Sequence, residues 1–66
     1  MTKSEKFEKA VASHQGRITA KDDFGTYRVE FDWHIRAAGF YDEMFGNGWS
    51  EILENTNSHL TIKITG

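Results

Sequence analysis

The chain contains no cysteine and no proline. Without cysteine there is no disulfide framework, no thiolate zinc site and no thiol chemistry. Small secreted domains usually depend on such staples, so the composition points to a reducing, cytoplasmic setting. Long hydrophobic runs are missing as well. No stretch of 18 apolar residues occurs, and that excludes a membrane-spanning helix. The charges between Met1 and Lys6 are not followed by an apolar run, so the opening residues do not read as a signal peptide. Positive charge is scarce too: eight Lys and Arg face ten Asp and Glu, for a net charge of -2. That balance argues against direct nucleic-acid binding, which uses a basic stripe. Length is also short, at 66 residues. One domain spanning 1–66 is expected, hiding roughly 60% of its unfolded surface. Its net stability is then about 3–5 kcal/mol, too little for most enzymes built around a deep, dry pocket.

The charges that are present are unevenly placed. Residues 1–36 hold seven positive and six negative side chains, whereas 37–58 hold Asp42, Glu43, Glu51 and Glu54 with no Lys or Arg. The same acidic stretch carries Phe40, Tyr41, Phe45 and Trp49. Acidic residues interleaved with aromatics are therefore the most informative feature of the sequence.

Local patterns outline the elements. Thr2-Lys3-Ser4-Glu5 fits a capping box, and Phe7, Ala10, Val11 and His14 follow at the spacing of one helical face. A helix over 3–15 is predicted, closed by Gly16 in the left-handed region. Ile18 and Ala20 alternate in a short strand from Arg17 to Lys21, and Asp22-Asp23-Phe24-Gly25 reads as a turn. From Thr26 to Arg36 the alternation is strict, with Tyr27, Val29, Phe31, Trp33 and Ile35 on one side. One long strand is predicted, with Phe31 buried at its middle against the first helix. In 37–55, Phe40, Met44 and Phe45 suit one helical face, and Trp49, Ile52 and Leu53 another. Gly46-Asn47-Gly48 separates them, so two short helices with a glycine joint are preferred over a hairpin through Asn-Gly. After a polar loop at 55–58, Leu60, Ile62 and Ile64 mark a closing strand from His59 to Thr65. The fold class is thus α+β, a small single domain in α-β-β-α-β order with helices packed on one face of an antiparallel sheet. No internal repeat is evident.

Candidate sites compete with plainer explanations. Tyr27, Phe31 and Trp33 resemble a base-stacking platform, but helix 1 needs that face as a core. Asp23-Phe24-Gly25 matches the kinase metal-binding tripeptide by chance, since no catalytic loop accompanies it. Gly46-Asn47-Gly48 lacks the third glycine and lysine of a phosphate loop. His14, His34 and His59 are spaced like no metal-ligand motif, so no metal and no cofactor are expected. On the opposite face of the long strand, Arg28, Glu30, Asp32, His34 and Arg36 would meet His59, Thr61, Lys63 and Thr65. Carboxylate, imidazole and guanidinium together are what a metal-independent ribonuclease uses for acid–base work and phosphorane stabilisation. With no pocket implied, a solvated face of cross-strand pairs is the preferred explanation.

The acidic aromatic segment holds more aromatic surface than one short, glycine-broken cover can hide. Phe40, Tyr41, Asp42, Glu43, Phe45, Trp49, Glu51 and Glu54 are therefore the expected partner-binding residues, with aromatics as anchors and carboxylates for steering. In size, acidity and lack of cysteine, the chain is similar to small proteins encoded by phages and mobile elements that bind and block host proteins, defence nucleases included. The expectation is a non-enzymatic inhibitor that occupies a basic surface on a host protein. The alternatives are a ribonuclease-like toxin using Glu30, His34 and His59, and a nucleic-acid binder using Arg28, Arg36 and Lys63.

Overall fold

A computed structural model describes residues 2–56 and 58–65. Its first helix, α1 (Lys3–Ser13), begins where the capping box places it. The Thr2 hydroxyl accepts from the Glu5 amide at 3.1 Å, and the Glu5 carboxylate accepts from the Thr2 amide at 3.3 Å. The helix ends at Ser13, before the predicted boundary, and Gln15 rather than Gly16 enters the left-handed region, at φ 59°. Gly16 serves a different need. A Cβ built there would lie 2.5 Å from the Phe31 ring, so glycine lets that ring close over the helix end.

Strands β1 (Arg17–Lys21) and β2 (Thr26–Glu30) form the expected antiparallel hairpin. Asp22 holds the turn, its Oδ1 accepting from the amides of Phe24 and Thr26 at 2.8 and 2.9 Å. Gly25 supplies φ +84°. The long strand, however, stops at Glu30. Just beyond it the Phe31 amide donates to the Ser58 carbonyl at 2.8 Å, and α2 (His34–Met44) starts three residues later. Ala37, Phe40, Tyr41 and Met44 recur at helical spacing, and burying Ala37, Phe40 and Met44 outweighs the period-two pattern upstream. Trp33 and Ile35 are consequently about half exposed. Asp32, His34 and Arg36 leave the sheet altogether.

The second correction falls on 50–55. This segment is a strand, β3 (Ser50–Asn55), not a second short helix. Adjacent Ile52 and Leu53 mimic a helical pair, but the register shifts between Ile52 and Glu54, which makes Leu53 the extra residue of a β-bulge. Gly46-Asn47-Gly48 is neither helix joint nor hairpin. It turns the chain from helix to strand, with both glycines at positive φ. The hairpin instead links β3 to β4 (His59–Ile64) through a loop whose Asn57 lies outside the described residues. The domain is therefore α+β in the order α-β-β-α-β-β, with both helices on one face of an antiparallel sheet ordered β1-β2-β4-β3.

That order hides a repeat which residue identities conceal. Each half is one helix followed by one hairpin. A shift of 33 positions carries Phe7 onto Phe40, Val11 onto Met44, Tyr27 onto Leu60 and Val29 onto Ile62, all of them core residues. The central ladder obeys the same shift, since Tyr27 pairs with Ile62 and Val29 with Leu60. Arg28 opposite Thr61 marks the pseudo-two-fold axis. Only Phe7 and Phe40 are identical among positions related by this shift, so what repeats is apolar character rather than residue type.

Phe40 is fully buried at the centre of the core, its ring 5.9 Å from Phe7 and 5.3 Å from Phe31. The Tyr27 ring lies tilted against Phe7 with centroids 4.7 Å apart, and its hydroxyl meets Ser4 Oγ at 3.1 Å as it leaves the core. Phe31 is buried as expected, but it sits beyond the strand end and packs on α2.

Candidate functional site

Among the expected anchors the structure separates Phe40 from the rest, because Phe40 is core and offers nothing to a partner. Its neighbour Tyr41 lies around the helix, half-buried, and stacks on Phe45 with centroids 5.7 Å apart. Phe45 is 68% exposed, far more than a residue of its size needs to be. Trp49 is only half-buried and packs against the edge of the core. Its carbonyl accepts from the Thr65 amide at 2.9 Å.

The Tyr41–Phe45 pair forms one wall of a groove between the C-terminal half of α2 and β3. The opposite wall is Ile52, Leu53, Glu54 and Asn55, and the hollow measures about 380 Å³. A second hollow of about 300 Å³ continues it along α2, lined by His34, Ala38, Asp42 and Thr56. Tyr41 and Asn55 belong to both hollows. The groove thus follows β3 for most of its length, and Ala38 keeps the helix wall low.

Local chemistry fixes this geometry at Asn47. Its side-chain carbonyl accepts from the Trp49 amide, the Ser50 amide and the Ser50 hydroxyl, each at 3.0 Å. Three bonds to one oxygen set where β3 begins relative to the end of α2.

The carboxylates divide by position. Asp42 is exposed and lines the groove. Glu43 points toward α1, with Oε1 3.3 Å from His14 Nε2. Glu51 stands opposite Lys63 across the β3–β4 ladder. Glu54 lines the groove and holds His59 Nε2 at 2.9 Å. Leu53, Ile52, Asn55 and Ala38 were not among the expected site residues. The adjacent apolar pair Ile52-Leu53 was the available signal, since consecutive apolar residues beside a period-two pattern mark a bulge.

The polar sheet face assembles only part of the alternative site. Arg28, Glu30, His59, Thr61 and Lys63 share it, with Glu30 directly opposite His59. His59 is tied at both ring nitrogens, Nδ1 to Thr56 Oγ1 at 2.7 Å and Nε2 to Glu54. The Thr56 hydroxyl also lies 3.2 Å from the His59 carbonyl, so these bonds close the β3–β4 turn. His34 is on α2, in the groove, away from this face. A shallow hollow on the sheet face is lined by Ala20, Arg28 and Thr61 and includes neither Glu30 nor His59. His14 caps the end of α1, whereas His34 begins α2 and His59 begins β4. Among the described residues, no helix is long and apolar enough to cross a membrane.

No family model, no characterised protein and no solved structure matches this chain.

Proposed function

We propose that this domain is a non-enzymatic binding module that engages a basic surface of another protein through the α2–β3 groove. The observation that carries the reading is the exposed Phe45 stacked on half-buried Tyr41, set in the segment 37–58 that has four carboxylates and no Lys or Arg. Aromatics that stack at the rim of the core beside a hollow supply buried area on binding. Carboxylates around them speed encounter with a cationic partner and lend it salt sensitivity. Occupying a basic surface that otherwise holds nucleic acid would make the chain an inhibitor, in the manner of small phage-encoded proteins acting in the cytoplasm on a host target.

The test begins with affinity capture of partners on the immobilised domain, followed by binding kinetics with each purified candidate. Asp42→Asn combined with Glu51→Gln preserves shape while removing two charges, and neither carboxylate belongs to an ion pair among the described residues. This variant should associate more slowly and lose part of the salt dependence. Tyr41→Ala with Phe45→Ala should accelerate dissociation. If both variants bound at wild-type rates, the groove would not be the interface.

A further inference from the structure

We propose that the outer edge of β3 accepts an extended, basic segment of the partner protein as a fifth strand, with alternate side chains lodged against α2. This deepens the binding reading above and rests on it.

Among the described residues, strand β3 ends the sheet on its side, paired only with β4. The direction of its backbone groups follows from the ladder. The Thr65 amide bonds to the Trp49 carbonyl, and the Thr56 amide bonds to the His59 carbonyl. Bonded and non-bonded pairs alternate in an antiparallel ladder. With Ser50 opposite Ile64 and Ile52 opposite Ile62, residues 50 and 52 therefore face outward. Asn55, opposite Leu60, faces outward on the other side of the bulge. The Ser50 amide is already bonded to Asn47, which, among the described residues, leaves the groups of Ile52 and Asn55 as the open edge.

An open strand edge with a helix-walled hollow beside it suits an extended ligand. Main-chain bonds supply affinity, and alternate side chains enter the hollow. The groove here runs along β3 from Phe45 to His34, so it matches a strand rather than a helix or a compact loop. The other edge offers neither feature in the same form. All five residues of β1 are exposed, with Arg17 and Lys21 at its two ends, and such edges discourage pairing with a cationic strand.

Charge selects the occupant. Asp42 lines the groove, Glu51 and Glu54 lie on β3 with the Glu54 carboxylate bonded to His59 on the polar sheet face, and the nearest cation on the adjoining strand is Lys63 opposite Glu51. A second copy pairing β3 to β3 would place Glu51 and Glu54 of each chain beside those of the other, which is repulsive. A segment alternating Lys or Arg with β-branched or aromatic residues satisfies both the edge and the field.

The probe is a displayed library of random ten-residue peptides, sorted for binding to the full chain. Enriched peptides should carry that alternation. The tightest one, titrated into isotope-labelled protein, should slow amide exchange at Ile52 and Asn55 and give cross-strand contacts to β3. Asn55→Pro removes an outward donor without breaking a β3–β4 bond, and should weaken the peptide about tenfold or more relative to Asn55→Ala, which loses the same side chain but keeps the amide. If Asn55→Pro does not fold, the exchange and cross-strand contacts in the unaltered chain decide. A peptide bound as a helix, spectral changes away from β3 and α2, concentration-dependent dimers, or no enrichment would each overturn the proposal. Loss of binding in Tyr41→Ala with Phe45→Ala but not in Asn55→Pro would reject strand addition and retain the groove as an interface. Insensitivity of both would reject the two together.

Discussion

Replacing Asn47 with alanine should destabilise the domain more than any other exposed or half-exposed polar substitution. One oxygen accepts three hydrogen bonds at 3.0 Å, two from backbone amides and one from the Ser50 hydroxyl. The hydroxyl can turn toward water, but the two part-buried amides lose their partner. A net contribution of about 0.5–1.5 kcal/mol per bond, plus incomplete resolvation of the amides, gives about 2–3 kcal/mol. Against a total of about 3–5 kcal/mol for a domain this small, that is about two fifths of the stability or more. The melting temperature should fall by about 10–20 °C. Asn47→Asp is the control, because a carboxylate can accept the same three bonds. It loses the side-chain amide contact to Met44 Sδ and meets the negative end of α2. Its cost should therefore stay near 0.5–1 kcal/mol. Urea unfolding followed by far-ultraviolet circular dichroism measures both. Equal losses in the two variants, or an alanine variant within about 0.5 kcal/mol of the parent, would refute the assignment of Asn47 as the joint between α2 and β3.

Three further outcomes follow from particular contacts. Gly16→Ala places a methyl group 2.5 Å from the Phe31 ring, which Phe40 prevents from retreating. Denaturant titration should show a loss of about 1–3 kcal/mol, partly recovered when Phe31→Leu is added. Asp22 accepts from the Thr26 and Phe24 amides, and these bonds hold its carboxyl below the ordinary value of 3.8. Its contribution is then complete above that value and disappears as pH falls through the lower folded value. Asp22→Asn should flatten this part of the acid unfolding curve, and an unchanged acid limb would count against it. Phe31→Ala should cost about 3–5 kcal/mol and abolish a cooperative melt. Retention of that melt would remove Phe31 from the core.

The elements governed by near neighbours were legible in the sequence: α1 from its capping box, the β1–β2 turn from Asp22 and Gly25, and β4 from its alternation. Misreadings arose where a local pattern and a tertiary demand disagreed. Trp33 and Ile35 continue the alternation of β2, yet α2 gains more by burying Ala37, Phe40 and Met44 on the sheet. Ile52-Leu53 looked helical because a bulge places two apolar residues side by side. The candidate site was legible as composition but not as geometry. Phe40 and Tyr41 are adjacent in sequence, and only the position of the sheet decides that one is core and the other faces the groove. Leu53 and Asn55 could not be assigned to a wall before β3 was known to be an edge strand.

The pseudo-two-fold arrangement has a consequence for how the chain can be cut. The two helix–hairpin units meet along the five pairs from Thr26–Lys63 to Glu30–His59 and, above the sheet, where Phe40 meets Phe7 and Phe31 and Glu43 meets His14. Each unit alone exposes the apolar side of its hairpin and half of an antiparallel ladder, so neither can hold its shape in isolation. Severed between Asp32 and Trp33, outside every strand and helix, the halves retain all the surfaces needed to recognise one another. The molecule is in effect a dimer written on one thread. Supplied as two separate peptides, it is a natural basis for a reporter that gains structure only when its fragments are brought together.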